Sequence, residues 1–208
     1  MENNIVNLYD LFYSGYVINK NTEYESKDNI ITLLNNIISN LKNNIIAKYK
    51  ENSDFKDESF HYNPIFDKKN SRYYDFDINK LPLIKFARYL NIRIEKTREL
   101  KYVGLYSPSK NSIMLRTDEA GTFLHELAHA VDHIVSSNRG SEIYREITAE
   151  MVAITLANIF KIPFDLEYSK YYMESYTGKE NLFFVINELK ERVLRICNYI
   201  VEYQKIII

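Results

Sequence analysis

The chain has no tryptophan, one cysteine, four prolines and five glycines among 208 residues, and neither sign of charge prevails. One thiol excludes an internal disulfide, and Cys197 falls in an apolar helical pattern where a small core residue belongs. So few glycines and prolines exclude collagen-like and low-complexity architectures. With 27 Lys and Arg against 28 Asp and Glu, there is no bulk attraction to nucleic acid or to an anionic membrane. Nucleic-acid binding is thus unsupported by charge and would need a local patch. No run reaches the roughly 18–20 apolar residues of a membrane span, and residues 1–10 lack the basic-then-apolar order of a secretion signal. These absences predict a cytoplasmic protein that makes no membrane contact. What is present is 46% hydrophobic and 14% aromatic residues, enough apolar surface to offset the entropy of folding a domain.

Periodicity divides the chain at about residue 80. Ile30, Ile31, Leu34, Ile37, Ile38, Leu41 and Ile45 recur at three- and four-residue spacings, predicting a long amphipathic helix over 28–50. A shorter helix is expected within Ile5–Tyr16. Residues 51–80 mix charge with Phe and Tyr around Pro64 and read as an irregular connection. Residues 1–80 are therefore expected to form a helical region with a linker, and residues 81–208 the main domain. There, Pro82 fits the first turn of a helix running to Leu90, and Asn91–Lys96 alternates as a strand does. Tyr102–Tyr106 and Ser112–Arg116 flank the turn residues Ser107–Asn111, the pattern of a β-hairpin. Asp118 or Thr117 is positioned to cap a helix carrying Phe123, Leu124, Leu127, Ala128 and Val131. Ser141 caps the next, which Pro163 stops, and helices over 167–177 and 180–204 finish the chain.

Three of the four histidines lie between residues 125 and 133, and their spacing carries more meaning than their number. Residues four apart on a helix differ by about 40° around its axis, so His125 and His129 can each place a ring nitrogen about 2.1 Å from one zinc ion. Glu126 projects beside that pair, where it can reach a water on the metal as a general base without being a ligand. Random placement of this composition gives His-Glu-x-x-His only about 0.007 times per chain, so chance is a poor account of a motif with this metal chemistry. Two histidines need a third protein ligand. His133 lies about 80° around the helix from His125 and suits a substrate-side role, a supporting role or simply the helix end. Glu146 and Glu150 lie 17 and 21 residues beyond His129. Their spacing offers one carboxylate to the metal and the other to the free nitrogen of a ligating histidine, and helix geometry alone allows either order.

These residues resemble the zincin metallopeptidases whose third ligand is a glutamate. Glu146-Ile147-Thr148-Ala149-Glu150 is similar to their Glu-x-x-Ala-acid helix. That resemblance implies that Glu146 is the ligand and Glu150 the residue that orients a histidine. The texture of Tyr106–Ile113, Thr122–His129 and Glu146–Glu150 resembles the metallopeptidase domain of ArdC-type antirestriction proteins of plasmids and phages, over roughly residues 81–200. The first 80 residues do not resemble that family's single-stranded-DNA-binding domain. The histidine pair and the Glu-x-x-Ala helix are also similar to the ImmA/IrrE regulatory proteases. His125–Val135 looks like the motif helix of clostridial Pro-Pro endopeptidases and of the anthrax lethal factor catalytic domain.

The expectation is an α+β, zincin-like domain: a small sheet containing the 102–116 hairpin, packed on the His125 helix, with further helices at both ends. The activity it implies is zinc-dependent hydrolysis of peptide bonds in a protein or peptide substrate. The open edge of Ser112–Arg116 is expected to align that substrate as an added strand. Tyr144, Tyr171, Tyr176, His133 and Arg139 are candidates to stabilise the transition state, and 18 tyrosines leave the sequence no means of choosing. The rival expectation is a non-enzymatic regulator of the same fold that binds a protein partner or single-stranded DNA. The short basic clusters Lys42–Lys50 and Lys68–Arg72 are the features it would use.

Overall fold

The computed structural model describes residues 27–49, 76–98, 102–137, 140–178 and 181–207. The expected helix within 5–16, most of the 51–80 connection and Arg139 lie outside the described residues. The described chain is α+β: six α-helices and one three-stranded sheet. Helix α1 spans Lys27–Tyr49 and α2 spans Ile84–Tyr89. Strands β1 (Arg93–Lys96), β2 (Gly104–Ser107) and β3 (Ser112–Leu115) follow. Helices α3 (Ala120–Val135), α4 (Glu142–Ile159), α5 (Leu166–Thr177) and α6 (Leu182–Ile207) complete the order.

The 3.6-residue stripe of α1 behaves as its spacing predicts. Ile30, Leu34, Ile37 and Leu41 are buried in the same cluster as the apolar residues of α3, α4 and α6. The helix of the 1–80 region thus shares the main core, packing on α6 and α4. Helix α2 starts later than Pro82 suggests. Leu83 takes a left-handed conformation at φ 59°, which cannot continue a helix, so the first turn forms only at Ile84. Asn91, at φ 55°, ends that segment, and the Asn111 side-chain amide donates to the Asn91 carbonyl at 3.0 Å, tying the hairpin turn to the start of β1.

The hairpin is present: β2 and β3 pair antiparallel, Tyr106 opposite Ile113, with a 3₁₀ turn over Pro108–Lys110 and Asn111 at φ 45° between them. The sheet order corrects one expectation. β1 runs parallel to β3 on its other side, Ile94 opposite Ile113, so β3 is central and has no open edge. Pairing of β1 with β3 skips over β2 in sequence, and no local pattern encodes it. Among the described residues the edge strands are β1 and β2.

Tyr106, Ile113 and Leu115 turn inward, and β2 and β3 pack on α3. Behind α3 lies α4, buried almost throughout from Ile147 to Ala157, as a helix that is apolar all round must be. Its two threonine hydroxyls are satisfied within the helix: Thr148 donates to the Tyr144 carbonyl and Thr155 to the Met151 carbonyl. Ser141 caps α4 as expected, accepting from the Tyr144 N–H. The start of α3 differs from expectation. Thr117 and Asp118 do not cap it; the Thr117 hydroxyl accepts from the Glu119 N–H, and Thr122 donates to the Glu119 carboxylate. Helix α6 closes the core against α4, α3 and α1, with Cys197 buried as a core residue and burial pushing its thiol pKa up. No helix among the described residues is long and apolar enough to cross a membrane.

Candidate metal centre

Helix α3 presents His125 and His129 one turn apart, and their Nε2 atoms converge to 3.1 Å with the rings nearly perpendicular. Helix α4 packs alongside and brings Glu146 to both. One of its carboxylate oxygens lies 3.3 Å from His125 Nε2 and the other 3.3 Å from His129 Nε2. One turn further along α4, Glu150 Oε2 lies 2.7 Å from the opposite nitrogen of His125, Nδ1. The spacing ambiguity between the two glutamates is therefore resolved by the packing of α4 on α3. Glu146 faces the converging nitrogens, while Glu150 grips His125 from behind. A ligand atom from each of His125, His129 and Glu146 lies within 4.8 Å of the others.

The three side chains are only 12%, 16% and 18% exposed, so their charges interact with little screening. Burial alone would lower the pKa of His125, but the Glu146 and Glu150 carboxylates outweigh it and hold the imidazole well above its ordinary value. Burial would likewise raise Glu146, yet the two histidines hold its carboxyl well below the usual range. Two ring nitrogens and a carboxylate thus converge, and a divalent cation bound there would compete with protons for the same atoms.

Glu126 stands apart from the ligand set. Its carboxylate accepts a 2.7 Å hydrogen bond from the backbone N–H of Tyr106 on the edge strand β2. Burial raises its pKa, against the opposing pull of His125, His129 and that N–H. A residue missed by sequence reasoning permits this approach. A Cβ at Gly104 would lie 2.8 Å from the Thr122 methyl and 2.9 Å from Glu126 Cγ, so only glycine lets β2 run this close to α3.

The tyrosine candidates separate once the helices are assembled. Tyr176 reaches the centre's border, its hydroxyl 3.4 Å from that of Tyr172. Tyr144 donates its hydroxyl to Glu188 on α6. His133 is exposed, with its ring edge-on to Tyr106, and Tyr171 is 47% exposed. Tyr172 was not among the candidates, yet its hydroxyl donates to Glu146 Oε2 at 2.7 Å and its ring packs edge-on against His125. Only the docking of α5 on α4 distinguishes it from its neighbours, and no sequence signal does.

The donor set fits zinc: two imidazoles and one carboxylate converge, and a further carboxylate fixes the orientation of a ligating ring. No protein-family model, no curated protein and no solved structure matches this chain.

Proposed function

We propose that the chain is a zinc-dependent metallopeptidase of the zincin type, with His125, His129 and Glu146 as the ligands and Glu126 as the general base. The observation that carries this reading is the convergence of two Nε2 atoms and the Glu146 carboxylate, beside a second carboxylate, Glu126, on the helix that carries the two histidines. A zinc ion held there supplies an acidified water and an electrophile for the scissile carbonyl. With zinc bound, Glu126 would take a proton from that water and return it to the departing amide nitrogen, a task suited to a carboxyl whose pKa burial has raised. Glu150 keeps His125 oriented with Nε2 toward the centre. The strand beside Glu126 is β2, and an extended peptide adding to its edge would lie along the centre. The likeness of the motif helices to the ArdC-type domain and to the ImmA/IrrE proteases agrees with this reading.

The test compares the wild type with Glu126→Gln. Each is incubated with a bacterial cytosolic proteome, and new protein N-termini are mapped. Cleavages that appear with the wild type and vanish with the zinc-loaded variant are expected. Identical N-termini from the two proteins would refute the assignment of Glu126 as the base.

A further inference from the structure

Tyr172 acts on the centre without belonging to the ligand set. Its phenolic oxygen donates to Glu146 Oε2 at 2.7 Å, the same oxygen that lies 3.3 Å from His125 Nε2, while Oε1 lies 3.3 Å from His129 Nε2. The ring stands edge-on to His125, with centroids 5.6 Å apart, and edge-on to Tyr176 at 5.2 Å. Three elements thus meet at one carboxylate: α3 through the histidines, α4 through Glu146 and α5 through Tyr172.

We infer that Tyr172 is the positioning residue for Glu146: its hydroxyl holds Oε2, so that the carboxylate is presented to the two Nε2 atoms in one fixed orientation. This rests on the proposed metal site and deepens it. A carboxylate free to rotate can choose among several orientations toward the two imidazoles, and an unfixed ligand weakens cation binding. A hydrogen bond of normal length to a charged acceptor is among the stronger kinds and suffices to bias that choice. Tyr176 lies behind Tyr172, with the hydroxyls 3.4 Å apart, and orients the phenol without reaching Glu146 in the same way.

The experiment uses the full chain as wild type, Tyr172→Phe and Tyr176→Phe. Phenylalanine keeps the ring against His125 and removes only the hydroxyl. Each protein is stripped of metal, checked for unchanged far-ultraviolet circular dichroism, and titrated with zinc against a competing chelator at one pH. Tyr172→Phe is expected to bind zinc about 10- to 100-fold more weakly, the usual loss when a supporting hydrogen bond to a ligand is removed. Tyr176→Phe is expected to lose less. Cobalt(II) replacing zinc gives a second readout. The visible bands of Tyr172→Phe should differ from those of the wild type as the unheld carboxylate reorients, a change that loss of packing alone would not produce. Wild-type zinc affinity together with a wild-type cobalt spectrum in Tyr172→Phe would overturn the inference. So would a metal-free Tyr172→Phe protein that has lost its fold, since the hydroxyl would then be a structural support. Failure of the metal reading itself is distinguishable, because the wild type would then take up neither ion.

Discussion

Glu126 and Asp132 are both carboxylates on α3 and both buried, at 8% and 2% exposure, yet they live in opposite surroundings. Asp132 receives a two-pronged bond from the Arg192 guanidinium of α6, Nε donating to Oδ1 at 2.9 Å and Nη2 to Oδ2, and its Oδ1 also accepts from the Ser136 hydroxyl at 2.7 Å. Glu126 has a backbone N–H where Asp132 has a guanidinium, and burial leaves its pKa raised. The first carboxylate is neutralised and locks the end of the motif helix to α6. The second is kept basic and close to the metal centre. The same chemical group, six positions along one helix, is gripped by a fork of charged donors in one place and held by a single backbone N–H in the other.

That contrast can be broken most severely at Arg192. Arg192→Ala leaves the Asp132 charge buried without its guanidinium, and breaking a buried ion pair in this way costs about 3–5 kcal/mol, measurable by urea denaturation. A loss below about 1 kcal/mol would mean that the pair contributes little and that α3 is anchored by its apolar face alone. Gly104→Ala comes next. A methyl group set against Thr122 and Glu126 must push β2 away from α3, with an expected cost of about 1–3 kcal/mol and loss of the Tyr106–Glu126 hydrogen bond. Slowed amide exchange at Tyr106 in the wild type, and its acceleration in the variant, would report that loss.

The smallest effect sharpens the comparison from the other side. A carboxyl whose folded pKa lies above its unfolded value contributes stability below the unfolded value, and that contribution is lost as pH rises through the folded one. Above the folded value, where the carboxyl is ionised, Glu126 therefore weighs against the metal-free fold. Glu126→Gln, which keeps an acceptor for the Tyr106 N–H, should melt slightly higher than the wild type at pH 7. The gain should shrink as the pH falls and the wild-type carboxyl becomes protonated as well. A variant that melts lower at pH 7 would show that Glu126 is a structural carboxylate like Asp132.

His125, Glu126 and His129 are legible in the sequence because one helix holds all three, and a helix turns by a fixed angle per residue. Glu146 and Glu150 are legible as a pair, since they too share a helix, but which of them meets the metal depends on how α4 rolls against α3. The hairpin was readable from its turn residues, whereas the central place of β3 was not, because β1 reaches it by a pairing that skips a strand. Gly104 and Tyr172 are invisible for a related reason. Each matters only through a contact with a distant element, Gly104 with α3 and Tyr172 with α4, and neither residue type at its own position announces the neighbour. Leu83 illustrates a local failure: a left-handed leucine is rare enough that no pattern would place it ahead of α2.

The central claim is that His125, His129 and Glu146 hold a zinc ion while Glu126 does not. Zinc titration of metal-free wild type, Glu126→Gln and His129→Ala, read by elemental analysis after removal of free ion, tests it directly. The account predicts about one zinc per chain in the wild type and in Glu126→Gln, and none retained by His129→Ala. A folded wild-type protein that refuses zinc would contradict it, as would equal metal loss in the two variants.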